Sequence, residues 1–163
     1  MVEIVKIQAA DWSQYRSVRL DALRESPDAF GSTFDEEASN PDSWWRQRLV
    51  NCDAGQDRPL FAMAGGDVVG LAWGKLDVDA AEKIGQVYQM WVRGNARGLG
   101  IGRLLRVLSS VGSRVVRRLR RFGRVLAKRL RIGCMPLWFH RGREPEPLRP
   151  GASVLCRKME LTL

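Results

Sequence analysis

The sequence of 163 residues predicts an α+β domain, a mixed sheet flanked by helices. Three observations predict it. The N-terminus alternates apolar and polar residues, two helical stretches follow, and three strand-like stretches then run into a glycine-rich turn and an apolar helix. The length suits one domain, residues 1–163, with its own core, and 45% hydrophobic residues with six Trp suit a globular chain. There is no internal repeat or low-complexity linker.

Each element has a local reason. In VEIVKIQ, residues 2–8, Val2, Ile4 and either Val5 or Ile7 would point inward from a first strand. Asp11 offers an N-cap, Trp12, Tyr15, Val18 and Ala22 recur at helical spacing, and Pro27 ends the run. Residues 26–43 are rich in Ser, Pro, Gly and Asp and read as a loop, after which Pro41 opens a second helix. Gly65-Gly66 between PLFAMA and DVVGLAWGKLDV signals a hairpin, and IGQVYQMWV, residues 84–92, a further strand.

A net charge of +9 and a pI near 10.3 would ordinarily suggest a polyanionic partner. The distribution argues otherwise. Arg106 to Arg143 holds 12 of the 27 basic residues and no acidic one, leaving 15 basic against all 18 acidic residues elsewhere. Cys52, Cys134 and Cys156 are widely spaced and His140 is the only histidine, which speaks against a disulfide framework or a metal site and for a reducing cytoplasm. The first residues lack the layout of a signal peptide, and no apolar run approaches the roughly 20 residues that span a bilayer.

The strongest chemical signal is VYQMWVRGNARGLGIGRLL, residues 87–105. A strand delivers the chain into Arg97-Gly98-Leu99-Gly100-Ile101-Gly102, and a helix is expected from Arg103. Glycines let successive backbone N–H groups turn toward one point, and a helix N-terminus adds unpaired donors and partial positive charge, so the turn suits a pyrophosphate. Arg97 and Arg103 can supplement that charge. A Walker loop is excluded because no Gly-Lys-Ser/Thr follows. A dinucleotide-binding turn fits poorly, since three strands precede the one that enters the loop and no acidic residue follows the loop before Glu144.

In this context RGLGIG resembles the Arg/Gln-x-x-Gly-x-Gly/Ala acetyl-CoA motif of the GNAT superfamily of N-acetyltransferases, matching at Arg97, Gly100 and Gly102. LRESPDAFGSTFDEE, LFAMAGGDVVGLAWG, VYQMWV and EPLRPGASVLCRKMEL look like one bacterial subgroup of it. The resemblance covers residues 2–105 and 143–161. It implies a mixed, mostly antiparallel sheet flanked by helices, acetyl-CoA as cosubstrate without a metal, and a primary amine of a small molecule or peptide as acceptor, and it leaves a homodimer open. By the same resemblance Met90, Trp91 and Val92 would hydrogen-bond the pantetheine and acetyl carbonyl through their backbone. Arg97, Gly98, Leu99, Gly100, Ile101, Gly102 and Arg103 would hold the pyrophosphate. Amine attack would be direct, with no acyl-enzyme.

Residues 106–142 depart from that pattern. A member of the superfamily should there supply a strand and a helix carrying Leu-Tyr-x-x-x-Gly-Phe, whose Tyr protonates the departing thiolate. The only tyrosines are Tyr15 and Tyr88. The codons suggest a frameshift. Trp138-Phe139, TGG-TTY, gives Gly and then Phe or Ser one base later, and Cys134-Met135-Pro136 gives Tyr or His and then Ala two bases later. The nucleotide sequence tests this: codons with no such alternative frame would sink it. As it stands, the segment has Leu104, Leu108, Val111, Val115, Leu119, Phe122, Leu126 and Leu130 at helical spacing, so 106–131 suits a long basic amphipathic helix. Two other readings follow: an acetyltransferase remnant with impaired catalysis, or a basic module binding nucleic acid or an anionic membrane through 106–131. No interleaved aromatics or nucleic-acid motif supports the module, so no specific nucleic acid is expected.

The catalytic acid and base are not readable. Asp28, Asp35, Glu36 and Glu37 lie in the loop that, by resemblance, borders the acceptor pocket; they could attract an amine or act as a base, directly or through water, but read first as a solvated acidic loop. Of Tyr88 and Gln89, at most one would face the acetyl site, since neighbours on a strand point to opposite sides.

Overall fold

The computed structural model describes residues 1–54, 57–77, 84–110, 139–141, 146–147, 155–156 and 159–162. Strand β1 (Val2–Lys6) is followed by helices α1 (Trp12–Glu25), α2 (Phe34–Ala38) and α3 (Asp42–Val50), then strands β2 (Asp57–Ala64), β3 (Asp67–Asp77) and β4 (Ile84–Val92) and helix α4 (Ile101–Ser110). Short strands β5 (Phe139–Arg141), β6 (Glu146–Pro147), β7 (Leu155–Cys156) and β8 (Met159–Thr162) complete the described part. One sheet has the order β1-β2-β3-β4-β8-β5 with antiparallel pairs throughout, and β6 pairs with β7 separately. Residues 111–138, most of the basic stretch, lie outside the described residues, as do Cys134 and most of the span of the expected frameshift. No helix among the described residues is long and apolar enough to cross a membrane.

Local chemistry explains the elements and two departures from expectation. Gly65 (φ 62°) and Gly66 (φ 91°) both take the left-handed backbone that a two-residue hairpin of right-handed twist requires. Asp11 does precede α1, but its carboxylate accepts the Gln8 N–H at 2.8 Å and closes a one-turn helix at Ala9–Asp11, not the first turn of α1. The expected loop at 26–43 contains α2. Its signal was in the sequence: Thr33-x-x-Glu36 is a capping box, with the Thr33 hydroxyl accepting Glu36 N–H and the Glu36 carboxylate accepting Thr33 N–H.

The sheet is covered on both faces. Against one lie α1 to α3, over a core that includes Ile7, Tyr15, Leu23, Trp45, Phe61, Leu71, Trp73 and Trp91. Against the other lies α4, with Ile101 and Leu105 on Leu60, Ala62 and Ala72. This resolves the inward set of β1: Val2 and Ile4 pack toward α4, Val5 and Ile7 toward α1–α3. On the α4 side the approach is close. A Cβ at Gly74 would stand 2.0 Å from the Ser109 carbonyl oxygen, and one at Gly70 would stand 3.0 Å from Leu105 Cδ1. Glycine and alanine on this face let α4 lie nearly on the backbone of β3, which sets where its N-terminus ends up.

Candidate functional site

The site is built where β4 ends and α4 begins. Through Ile84 and Gly85, β4 pairs with β8; from Gln86 onward its only strand partner among the described residues is β3. Among the described residues, one row of backbone donors and acceptors on Gln86–Val92 is therefore left out of the ladder. The strand is also bulged. Leu71 faces Trp91 and Trp73 faces Tyr88, so three steps on β4 match two on β3. Inside the bulge Gln89 has φ 52°, and among the described residues no other non-glycine has positive φ. The Gln89 amide oxygen accepts the Tyr15 hydroxyl at 2.9 Å. The Trp91 side chain is buried under α1–α3, whereas Met90 is 45% exposed.

After β4 the chain is pinned and then released. Arg93 N–H reaches Val69 O at 3.0 Å, and a one-turn helix, Gly94–Ala96, follows with Ala96 buried on the α4 side. Gly98 (φ 80°) and Gly100 (φ 78°) then reverse the chain into α4, which starts at Ile101, two residues before the expected Arg103. No atom lies within 4 Å of a Cβ built at either glycine, so backbone conformation and not crowding demands them. Gly98 to Arg103 donate no backbone hydrogen bond to another described residue, as expected at a helix start. A cavity of about 330 Å³ opens there, lined by Val92, Ala96, Arg97, Gly98, Gly100, Ile101 and Gly102. Unpaired N–H groups, glycine surfaces without side chains and a helix N-terminus suit an anionic group such as a phosphate.

The structure brings Val92, Arg97, Gly98, Gly100, Ile101 and Gly102 to one cavity. Leu99 (71% exposed) and Arg103 are solvent-facing and do not line it, nor do Met90 and Trp91. The Arg97 side chain has partners within the fold. Its Nε donates to Val92 O at 2.8 Å and its Nη2 to Glu25 Oε1 at 2.7 Å, so the guanidinium braces the loop between the end of β4 and the end of α1. In the acidic loop Asp28 and Asp35 are exposed and Glu36 belongs to the capping box. Glu37 is not solvated. It is buried against Arg19 (Nη2 to Oε1 2.7 Å, Nε to Oε2 3.1 Å) and accepts the Ser32 hydroxyl, while Arg19 also covers the Phe30 ring at 4.4 Å. Burial pushes the Glu37 carboxyl up, but the bonds from Arg19 and Ser32 and the charges of Arg19 and Arg48 outweigh it and hold the group below its ordinary value. Tyr15 is displaced the other way: burial raises its hydroxyl to about 12, so it keeps its proton and remains a donor.

The chain belongs to the GNAT family: the family model described as "Acetyltransferase (GNAT) family" matches residues 15–107, more than half of the sequence. Among solved structures it is similar to an acetyltransferase of the GNAT family from Streptococcus pneumoniae, at 12% identity over 100% of both chains with a TM-score of 0.64. It also resembles a GCN5-related N-acetyltransferase from Ralstonia eutropha JMP134, at 16% identity over 83% of this chain and 95% of that one, TM-score 0.52. A third is the PaiA N-acetyltransferase from Thermoplasma acidophilum in complex with coenzyme A, at 14% identity over 76% of this chain and 74% of that one, TM-score 0.52. No curated protein matches the sequence.

Proposed function

We propose that residues 1–163 form one domain that transfers the acetyl group of acetyl-CoA to a primary amine of a small molecule or peptide. The observation that carries this reading is the cradle at Gly98–Arg103, whose free backbone donors meet the N-terminus of α4 beside a 330 Å³ cavity. Binding of coenzyme A by the Thermoplasma acidophilum enzyme of like fold supports the same ligand here. In this reading the backbone of Gly98 to Arg103 takes the pyrophosphate, and Arg97 holds the cradle in place. The open edge of β4 at Met90, Trp91 and Val92 pairs with the pantetheine and donates to the thioester carbonyl. A backbone donor there stabilises the oxyanion formed as the amine attacks, and holding amine and thioester together supplies the rest of the rate.

The test is release of free coenzyme A thiol from acetyl-CoA across a panel of primary amines, with mass spectrometry of the acceptors. Amine-dependent release with an acceptor heavier by one acetyl group is the expected result. Acetyl-CoA that binds but never reacts would leave the remnant reading, and absence of both binding and release would end the proposal.

A further inference from the structure

The bulge in β4 needs an explanation of its own, because a glutamine occupies a backbone conformation that glycine favours. Nothing in the side chain of Gln89 makes φ 52° comfortable, since left-handed backbone brings Cβ against the carbonyl oxygen. A contact from outside the strand reaches it. That contact is Tyr15 on α1, 74 positions away in sequence, whose hydroxyl donates to Gln89 Oε1 at 2.9 Å.

Tyr15 is built to hold still. It is wholly buried, with its ring 5.7 Å from Trp45 in an edge-on packing and 5.7 Å from Trp73. Those neighbours are themselves fixed. Trp73 Nε1 donates to Asp57 Oδ1 at 2.7 Å, the Arg48 guanidinium covers both Trp73 and Trp44, and Trp44 packs edge-on against Trp45 at 4.9 Å. A tyrosine ring clamped on two sides has one place to put its oxygen.

We propose that Tyr15 and Gln89 form a tether that holds the β4 bulge in its left-handed turn and so positions the Met90 backbone toward the acetyl group. Both are positioning residues, since neither side chain lines the cradle cavity. The step from bulge to acetyl group rests on the reading under Proposed function. The bulge inserts one residue just before Met90, so its loss would turn the free donors of β4 away from their present direction.

The experiment is a double-mutant cycle with Tyr15→Phe, Gln89→Gly and the pair, measured in two ways. Tyr15→Phe keeps the ring and its packing and removes only the donor. Glycine at 89 removes the acceptor and prefers the left-handed turn unaided. The tether predicts that Tyr15→Phe lowers kcat about 5- to 20-fold with the acetyl-CoA dissociation constant within 2-fold, and that the same change has no further effect when residue 89 is glycine. An equal loss in both backgrounds, or none in the first, would overturn it. The second readout needs no ligand: carbon chemical shifts of residue 89 in the free protein. The tether predicts left-handed values in the parent chain that move toward extended ones in Tyr15→Phe; unchanged values would overturn it. A parent chain indifferent to acetyl-CoA would contradict the functional reading, and the shifts would still decide the tether.

Discussion

The two faces of the sheet are packed by opposite means. Under α1 to α3 the space is filled by large side chains: Tyr15, Trp45, Phe61, Trp73 and Trp91, with the buried Arg19–Glu37 pair set among them. Under α4 it is nearly absent, because Gly70, Ala62, Ala72 and Gly74 let the helix come down onto the strands. A side chain can be exchanged for another with local repacking, whereas a helix seated on backbone can only move as a unit. The first face therefore governs stability and the shape of β4. The second governs where the helix N-terminus points, and with it the proposed anion cradle.

The comparison breaks first at Glu37. Glu37→Ala leaves Arg19 charged and buried, and should cost about 3–5 kcal/mol in urea unfolding. At a temperature where the variant is folded, its affinity for acetyl-CoA should be unchanged, because the damage is on the other face from the cradle. A variant that is stable as the parent, or that loses affinity in proportion, would show that the faces are not separate.

Gly74→Ala is the converse. Its Cβ would sit 2.0 Å from backbone of α4, so the helix must shift, at a cost of about 1–3 kcal/mol or more. Here affinity should fall with stability, by an order of magnitude or so in calorimetric titration, since the cradle rides on the helix. Loss of stability with full affinity would mean that the cradle is set by its own glycines alone.

Acid sharpens the first half of the comparison. The folded Glu37 carboxyl lies below its ordinary value of 4.5, so on acidification the unfolded chain takes up the proton first. Its contribution is present above that ordinary value and is lost as pH falls through the folded one. Stability followed against pH should drop in this window, and Glu37→Gln, which has no proton to bind, should show a shallower drop. Equal slopes would assign acid unfolding to other groups.

The smallest effect is at Glu25. Its carboxylate braces Arg97 at a half-exposed position, so Glu25→Ala should change stability by less than about 1 kcal/mol. Affinity separates two roles for Arg97. As a brace, it loses its hold and acetyl-CoA binds a few-fold more weakly. Were its guanidinium the phosphate ligand, removal of a competing carboxylate would tighten binding instead.

Legibility in the sequence followed how local the cause was. The strand at 84–92, the double-glycine hairpin and the glycine turn after β4 were readable because each rests on residues adjacent in the chain. Helix α2 leaves only its capping box in the sequence, because five residues hold too little periodicity to register. The bulge was not readable, since nothing at Gln89 favours left-handed backbone and its partner, Tyr15, lies on another element. Glu37 looked like one of four solvated acids, and only the meeting of α1 with α2 shows that it neutralises Arg19. Arg97 was legible as part of the motif, but its side-chain partners Glu25 and Val92 come together only in the fold.

The central claim is that backbone at Gly98–Arg103 holds the pyrophosphate of acetyl-CoA, and thermal unfolding tests it most directly. The chain is heated alone, with excess acetyl-CoA, and with the S-acetyl thioester of N-acetylcysteamine, which carries the acetyl end without phosphate; Gly100→Val is treated alike. Ligand at about 100 times its dissociation constant adds about 2.7 kcal/mol, a rise of several degrees. A rise with acetyl-CoA, little or none with the truncated thioester, and none in Gly100→Val is the predicted result. Unfolding indifferent to acetyl-CoA, or a rise that survives in Gly100→Val, would contradict it.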